Sequence, residues 1–103
     1  MYGCTYDDYD HDSLAKNATL RFLPVMMAQL NPDFDFKFCS FAIQKCKETT
    51  GRVVSFRQLG IRNSFTLECS FYGRGGVDDL QMNMLDYANV GRDLARCIQN
   101  FIP

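Results

Sequence analysis

Residues 59–71 read Leu-Gly-Ile-Arg-Asn-Ser-Phe-Thr-Leu-Glu-Cys-Ser-Phe, and the second half of that stretch alternates strictly. Phe65, Leu67, Cys69 and Phe71 fall on one face, and Ser64, Thr66, Glu68 and Ser70 on the other. A period of two is the pattern of a strand with one buried face. Its single acid, Glu68, stands in a run otherwise made of Phe, Thr, Leu and Cys, where propensity alone disfavours a carboxylate. Spacing by itself reads Glu68 as an edge-strand acid facing water.

The charge on either side of that stretch is segregated. Residues 1–36 carry six Asp against Lys16 and Arg21, whereas residues 37–62 carry Lys37, Lys45, Lys47, Arg52, Arg57 and Arg62 against Glu48 alone. Residues 63–103 are mildly acidic, so a net charge of −1 conceals a basic block immediately before Glu68. Such a block draws acidic ligands, although composition alone favours a solvated loop and helix face. Nothing in it suggests nucleic acid as the partner.

At 103 residues the chain has room for one domain with a modest core, and 47% hydrophobic residues make it a folded chain, not a disordered one. No run approaches the ~20 apolar residues of a membrane span, and the opening Met1–Asp8 has no signal-peptide pattern. Five cysteines, at 4, 39, 46, 69 and 97, include no Cys-x-x-Cys pair, so reduced, mostly buried thiols in a cytoplasmic protein are expected. Asn17-Ala18-Thr19 has the form of a glycosylation sequon, read here as chance.

Along the chain, Met1–Thr5 reads as the end of a strand, and Tyr6–Asp12 as a hydrated acidic loop. His11 with Asp8, Asp10 and Asp12 lacks the glycine and the closing glutamate of a calcium loop. A helix capped by Asp12 or Ser13 runs irregularly to Leu30, with a core stripe of Leu20, Leu23, Met26, Met27 and Leu30. Pro24 makes that helix bend or start afresh, and Asn31-Pro32-Asp33 ends it. Phe34, Phe36 and Phe38 alternate as an extended lead-in to a strand at Ser40–Lys45; Cys46–Gly51 is a loop, and Arg52–Leu59 a short helix or turn closed by Gly60. After a glycine-rich loop at Tyr72–Gly76, Leu85–Phe101 is the clearest helix. Its inner face is Tyr87, Val90, Leu94, Cys97, Ile98 and Phe101, with Asp86 and Asp93 directed away. Strands alternating with helices predict an α/β fold.

Three strings carry a family resemblance: Met1-Tyr2-Gly3-Cys4, Cys46–Val54 (Cys-Lys-Glu-Thr-Thr-Gly-Arg-Val-Val), and Gly60–Glu68. Together they resemble zinc carboxypeptidases, specifically the cytosolic carboxypeptidases of the tubulin-deglutamylase type. The resemblance implies a partial zinc-carboxypeptidase fold, the C-terminal part of a mixed sheet with flanking helices. Residues 1–103 would then be a C-terminal fragment of a single catalytic domain.

In that family the glutamate of the third string is the general base acting on a zinc-bound water, which implies that role for Glu68. Zinc is the implied cofactor, but its His-x-x-Glu and His-Gly-His-Ser ligand segments have no counterpart here and are expected upstream of Met1. The substrate-capping tyrosine of digestive carboxypeptidases has no equivalent near Cys46–Lys47. Lys47, Arg52 or Arg57 is instead expected to meet the acidic side chain of a glutamate substrate, Arg52 foremost. The implied partners are glutamate-rich, tubulin-like protein tails. The alternative is a non-catalytic truncated product or interaction module, and the chain alone is expected to be inactive.

Overall fold

The computed structural model describes residues 1–7, 11–69 and 82–102. Among the described residues there are four α-helices: α1, His11–Thr19; α2, Phe22–Leu30; α3, Gly51–Arg57; and α4, Met84–Phe101. Single 3₁₀ turns occupy Phe36–Phe38 and Lys45–Lys47. The chain divides into two compact units, one of Met1–Phe22 with Cys39–Leu67, the other of Leu23–Phe38 with Glu68–Pro103.

The expected α/β sheet is not formed. Among the described residues there is no strand, only two isolated bridges in the first unit, Tyr2 to Ser40 (parallel) and Tyr2 to Thr66 (antiparallel). Tyr2 and Thr66 exchange both backbone hydrogen bonds at 2.8 Å, Gly3 N–H donates to Ser40 O at 2.8 Å, and Ser40 N–H donates to Met1 O at 3.1 Å. Pairing stops after one rung on either side of Tyr2, and alternation becomes a strand only where a neighbour extends the ladder. The side chains follow: Ser64, from the polar set, is buried, and Cys69, from the apolar set, is exposed. The Phe34–Phe38 alternation likewise becomes a helical turn, and the expected strand at Ser40–Lys45 reduces to its first residue before the chain turns at Lys45–Lys47.

The core of the first unit consists of Cys4, Leu20, Val53 and Phe56, with Tyr6 and Ile43 packed against it. The Tyr6 and Phe56 rings meet at 4.7 Å between centroids, tilted by 44°. Asn17 on α1 fixes the N-terminal segment by using both ends of its amide: Tyr6 N–H donates to Oδ1 at 2.7 Å, and Nδ2 donates to Tyr6 O at 3.0 Å. Gly3 lies under two rings; a Cβ there would sit 2.7 Å from Phe41 Cδ1 and 3.1 Å from Phe65 Cε1, so only glycine fits without displacement. Arg21 stacks on the other ring contact of this group, its guanidinium 4.4 Å from the Phe41 centroid.

Between α1 and α2 the helix breaks at Leu20–Arg21, and Pro24 falls in the first turn of α2, where its missing N–H leaves no intrahelical bond unmade. In the second unit α2 buries Leu23, Pro24 and Met27, and Asn31 closes the helix by donating to Met27 O at 2.9 Å. α4 starts in a capping box: Asn83 accepts from Asp86 N–H at 2.9 Å, and the Asp86 carboxylate accepts from Asn83 N–H at 2.8 Å. The buried stripe of α4 is Asp86, Val90, Asp93 and Cys97, so two acids expected on the outer face lie inside, while Ile98, expected inside, is exposed. The glycine-rich loop expected at Tyr72–Gly76 lies outside the described residues, as do Asp8 and Asp10 of the acidic run.

Candidate functional site

The basic block apart from Lys37 belongs to the first unit, with Arg52 and Arg57 on α3. Thr50 precedes the helix in extended conformation, and Gly51-Arg52 begins it. Two side chains fasten that first turn: Ser64 Oγ donates to Arg52 O at 2.7 Å, and the Cys4 thiol points at the same carbonyl from 4.0 Å. Ser64 reaches back because the chain reverses at Gly60, the one residue with positive φ (+67°) among those described, with Ile61 N–H bonded to Ser55 O at 3.0 Å. Arg52 itself is half-buried. Its guanidinium lies 5.6 Å from the centre of the Tyr2 ring, and its Nε is buried with no hydrogen-bond partner among the described residues. A buried donor left without a partner is costly. Burial pushes the Cys4 thiol above its ordinary value, and the neighbouring Arg52 and, more weakly, Arg57 draw it part of the way back.

Arg57, at the other end of α3, is already engaged: its Nη1 is 3.3 Å from Glu48 and its Nη2 3.7 Å from Asp7. Lys47 is exposed on the 3₁₀ turn, held by backbone alone: its N–H donates to Gln44 O at 2.9 Å, and its carbonyl accepts from Thr50 N–H at 3.0 Å and Thr50 Oγ1 at 2.7 Å. Lys47 forms no ion pair among the described residues, so its charge is available. The three basic residues expected to meet an acidic ligand therefore occur together in the first unit, in three different states: half-buried, ion-paired and free. Glu68 belongs to the second unit, is exposed, and has no hydrogen bond or ion pair among the described residues.

One polar cluster lies where the sequence reading expected an outward-facing acid. Asp93 is almost completely buried on α4, where Oδ2 accepts from Asn31 Nδ2 and Oδ1 from Arg92 Nε, both at 2.9 Å, with Arg96 Nη1 at 3.9 Å. The Arg92 bond, reinforced by Asn31, holds the Asp93 carboxyl below the usual carboxylate range. Asn31 in turn accepts from Asp33 N–H at 2.9 Å. The 4-3-4 spacing of Asp86, Val90, Asp93 and Cys97 is the signal that could have placed the acids inside.

Known proteins match most of the chain. It is 42% identical over 94 residues to bovine (Bos taurus) cytosolic carboxypeptidase 3, a match covering 88% of this chain and 9% of that protein. Against mouse (Mus musculus) cytosolic carboxypeptidase 2 it is 36% identical over 104 residues, 98% of this chain and 11% of that protein. Zebrafish (Danio rerio) cytosolic carboxypeptidase 1 matches at 31% over 101 residues, 88% of this chain and 9% of the relative. The chain belongs to the cytosolic carboxypeptidase family. It spans about a tenth of the length of these relatives. No family model matches it, and no solved structure does. No helix among the described residues is long and apolar enough to cross a membrane.

Proposed function

We propose that this chain contributes the general base and the acidic-substrate contacts of a zinc-dependent carboxypeptidase that removes C-terminal or branched glutamate from acidic, tubulin-like protein tails. The observation that carries the reading is the match to cytosolic carboxypeptidases along nearly the whole chain. The clustering of Lys47, Arg52 and Arg57 around α3 supports the choice of an acidic substrate. The cytoplasm is the proposed location, as the relatives' names have it for those proteins.

In this reading Glu68 takes the proton of the attacking water and passes it to the leaving amine, while Arg52, with Lys47 and Arg57, faces the glutamate side chain. An exposed carboxylate is a poor general base in water, so the role requires surroundings that desolvate it. The described residues do not fit a zinc centre: no three His, Cys, Asp or Glu converge among them, and His11 is exposed on α1. Zinc is therefore proposed for the longer polypeptide, and this chain alone is proposed to be inactive. The exposure of Glu68 also supports a second reading, an interaction module without chemistry of its own.

A chimera separates the two. The 103 residues are substituted for the matching stretch of mouse cytosolic carboxypeptidase 2, and release of the C-terminal amino acid is followed from polyglutamyl and polyalanyl peptides. Release from the polyglutamyl peptide alone is expected. A well-folded chimera that releases nothing would favour the interaction module.

A further inference from the structure

Tyr2 is held from both sides. Its N–H and C=O both pair with Thr66 at 2.8 Å, and its two neighbours are tied to Ser40, whose N–H donates to Met1 O and whose carbonyl accepts from Gly3 N–H. The side chain so held meets the Arg52 guanidinium 5.6 Å from its ring centre, within the ~6 Å over which a cation feels the quadrupole of an aromatic face. Arg52 is fixed at its root by other means, since its carbonyl receives Ser64 Oγ at 2.7 Å and faces the Cys4 thiol at 4.0 Å. Tyr2 is exposed and Arg52 half-buried, so water or a ligand reaches this pair.

The two arginines of α3 are thus oriented by different chemistry. Arg57 meets carboxylates, Glu48 at 3.3 Å and Asp7 at 3.7 Å, whereas Arg52 forms no ion pair among the described residues and has the Tyr2 ring instead. A carboxylate orients a guanidinium by accepting its in-plane N–H bonds, and it neutralises the charge in doing so. A ring face attracts the same cation through its π-cloud, accepts none of those bonds and brings no opposing charge. We propose that Tyr2 is a positioning residue, whose ring sets the direction of the Arg52 guanidinium and leaves its charge for the carboxylate of a bound glutamate. This rests on the reading of Arg52 as the contact to the glutamate side chain and adds how that contact is oriented.

The test is the affinity of the chimera for a labelled polyglutamyl peptide, followed by fluorescence anisotropy in a Glu68→Gln background so that binding is read without turnover. Tyr2→Phe, which keeps the ring face, is the reference. Tyr2→pentafluorophenylalanine keeps the shape of that ring and reverses its quadrupole, so a variant that folds like the reference differs from it in the cation contact alone. It should bind about two- to fivefold more weakly than the reference, the range for an exposed cation–π contact. With Arg52→Gln added, the two ring variants should bind alike, because no cation then faces the ring. Equal affinities with Arg52 present, or the same loss with and without it, would overturn the positioning role alone. An Arg52→Gln variant that binds the peptide as tightly as its parent would overturn the reading of Arg52 as the glutamate contact, and the role of Tyr2 with it.

Discussion

The two units solve the problem of a small core in different ways. The first buries Cys4, Leu20, Val53 and Phe56 and leaves its basic side chains at or near the surface. The second, beside Leu23, Met27, Val90 and Cys97, buries Asn31, Asp86 and Asp93 and satisfies them with specific partners. Lys47 of the first unit forms no ion pair among the described residues, whereas Asp86 and Asp93 of the second are held by hydrogen bonds within their own unit.

The contrast predicts different failures. The largest effect should come from Phe56→Ala, which empties the centre of the first core and should cost about 3–5 kcal/mol in denaturant unfolding, as large-to-small core substitutions do. A loss under 1 kcal/mol would mean that the first unit does not depend on this apolar set. Gly3→Ala drives a methyl group into Phe41 and Phe65 and should cost about 1–3 kcal/mol, the usual range for overpacking. Amide exchange at Tyr2 and Thr66 should accelerate in that variant, because their mutual hydrogen bonds flank the clash. Unchanged exchange would show that Gly3 is not needed for the bridges.

The second unit should instead respond to acid. The folded-state pKa of Asp93 is depressed, so its stabilising contribution is complete above the unfolded value of about 3.9 and is lost as pH falls through the lower folded value. Thermal midpoints measured between pH 7 and pH 2 should therefore drop at the acid end, and Asp93→Asn should flatten that drop while lowering the midpoint at neutral pH. An identical acid slope in the variant would remove Asp93 as its source.

Local signals were legible where one helix sufficed to define them. The period of α4 gave Leu85–Phe101 against the observed Met84–Phe101, and Pro24 correctly marked the break between α1 and α2. The short helix or turn expected over Arg52–Leu59 is a helix at Gly51–Arg57, displaced by one residue at its start and two at its end. What failed depended on partners distant in sequence. The alternation around Glu68 describes side chains, yet a strand exists only with a neighbouring ladder, and Thr66 finds just Tyr2. The burial of Asp93 depends on Asn31, 62 residues away, and no spacing within α4 reveals that amide. The three strings that carry the resemblance made the family legible; no spacing could show that Arg57 is paired or that Arg52 keeps a buried donor without a partner among the described residues.

The role proposed for Glu68 is tested most directly by Glu68→Gln in the chimera, with glutamate release and bound zinc measured on the same sample. A general base supplies roughly a hundredfold or more, so release should fall by at least that factor while zinc content and affinity for the polyglutamyl peptide stay level. A variant that keeps most of its turnover would contradict Glu68 as the base.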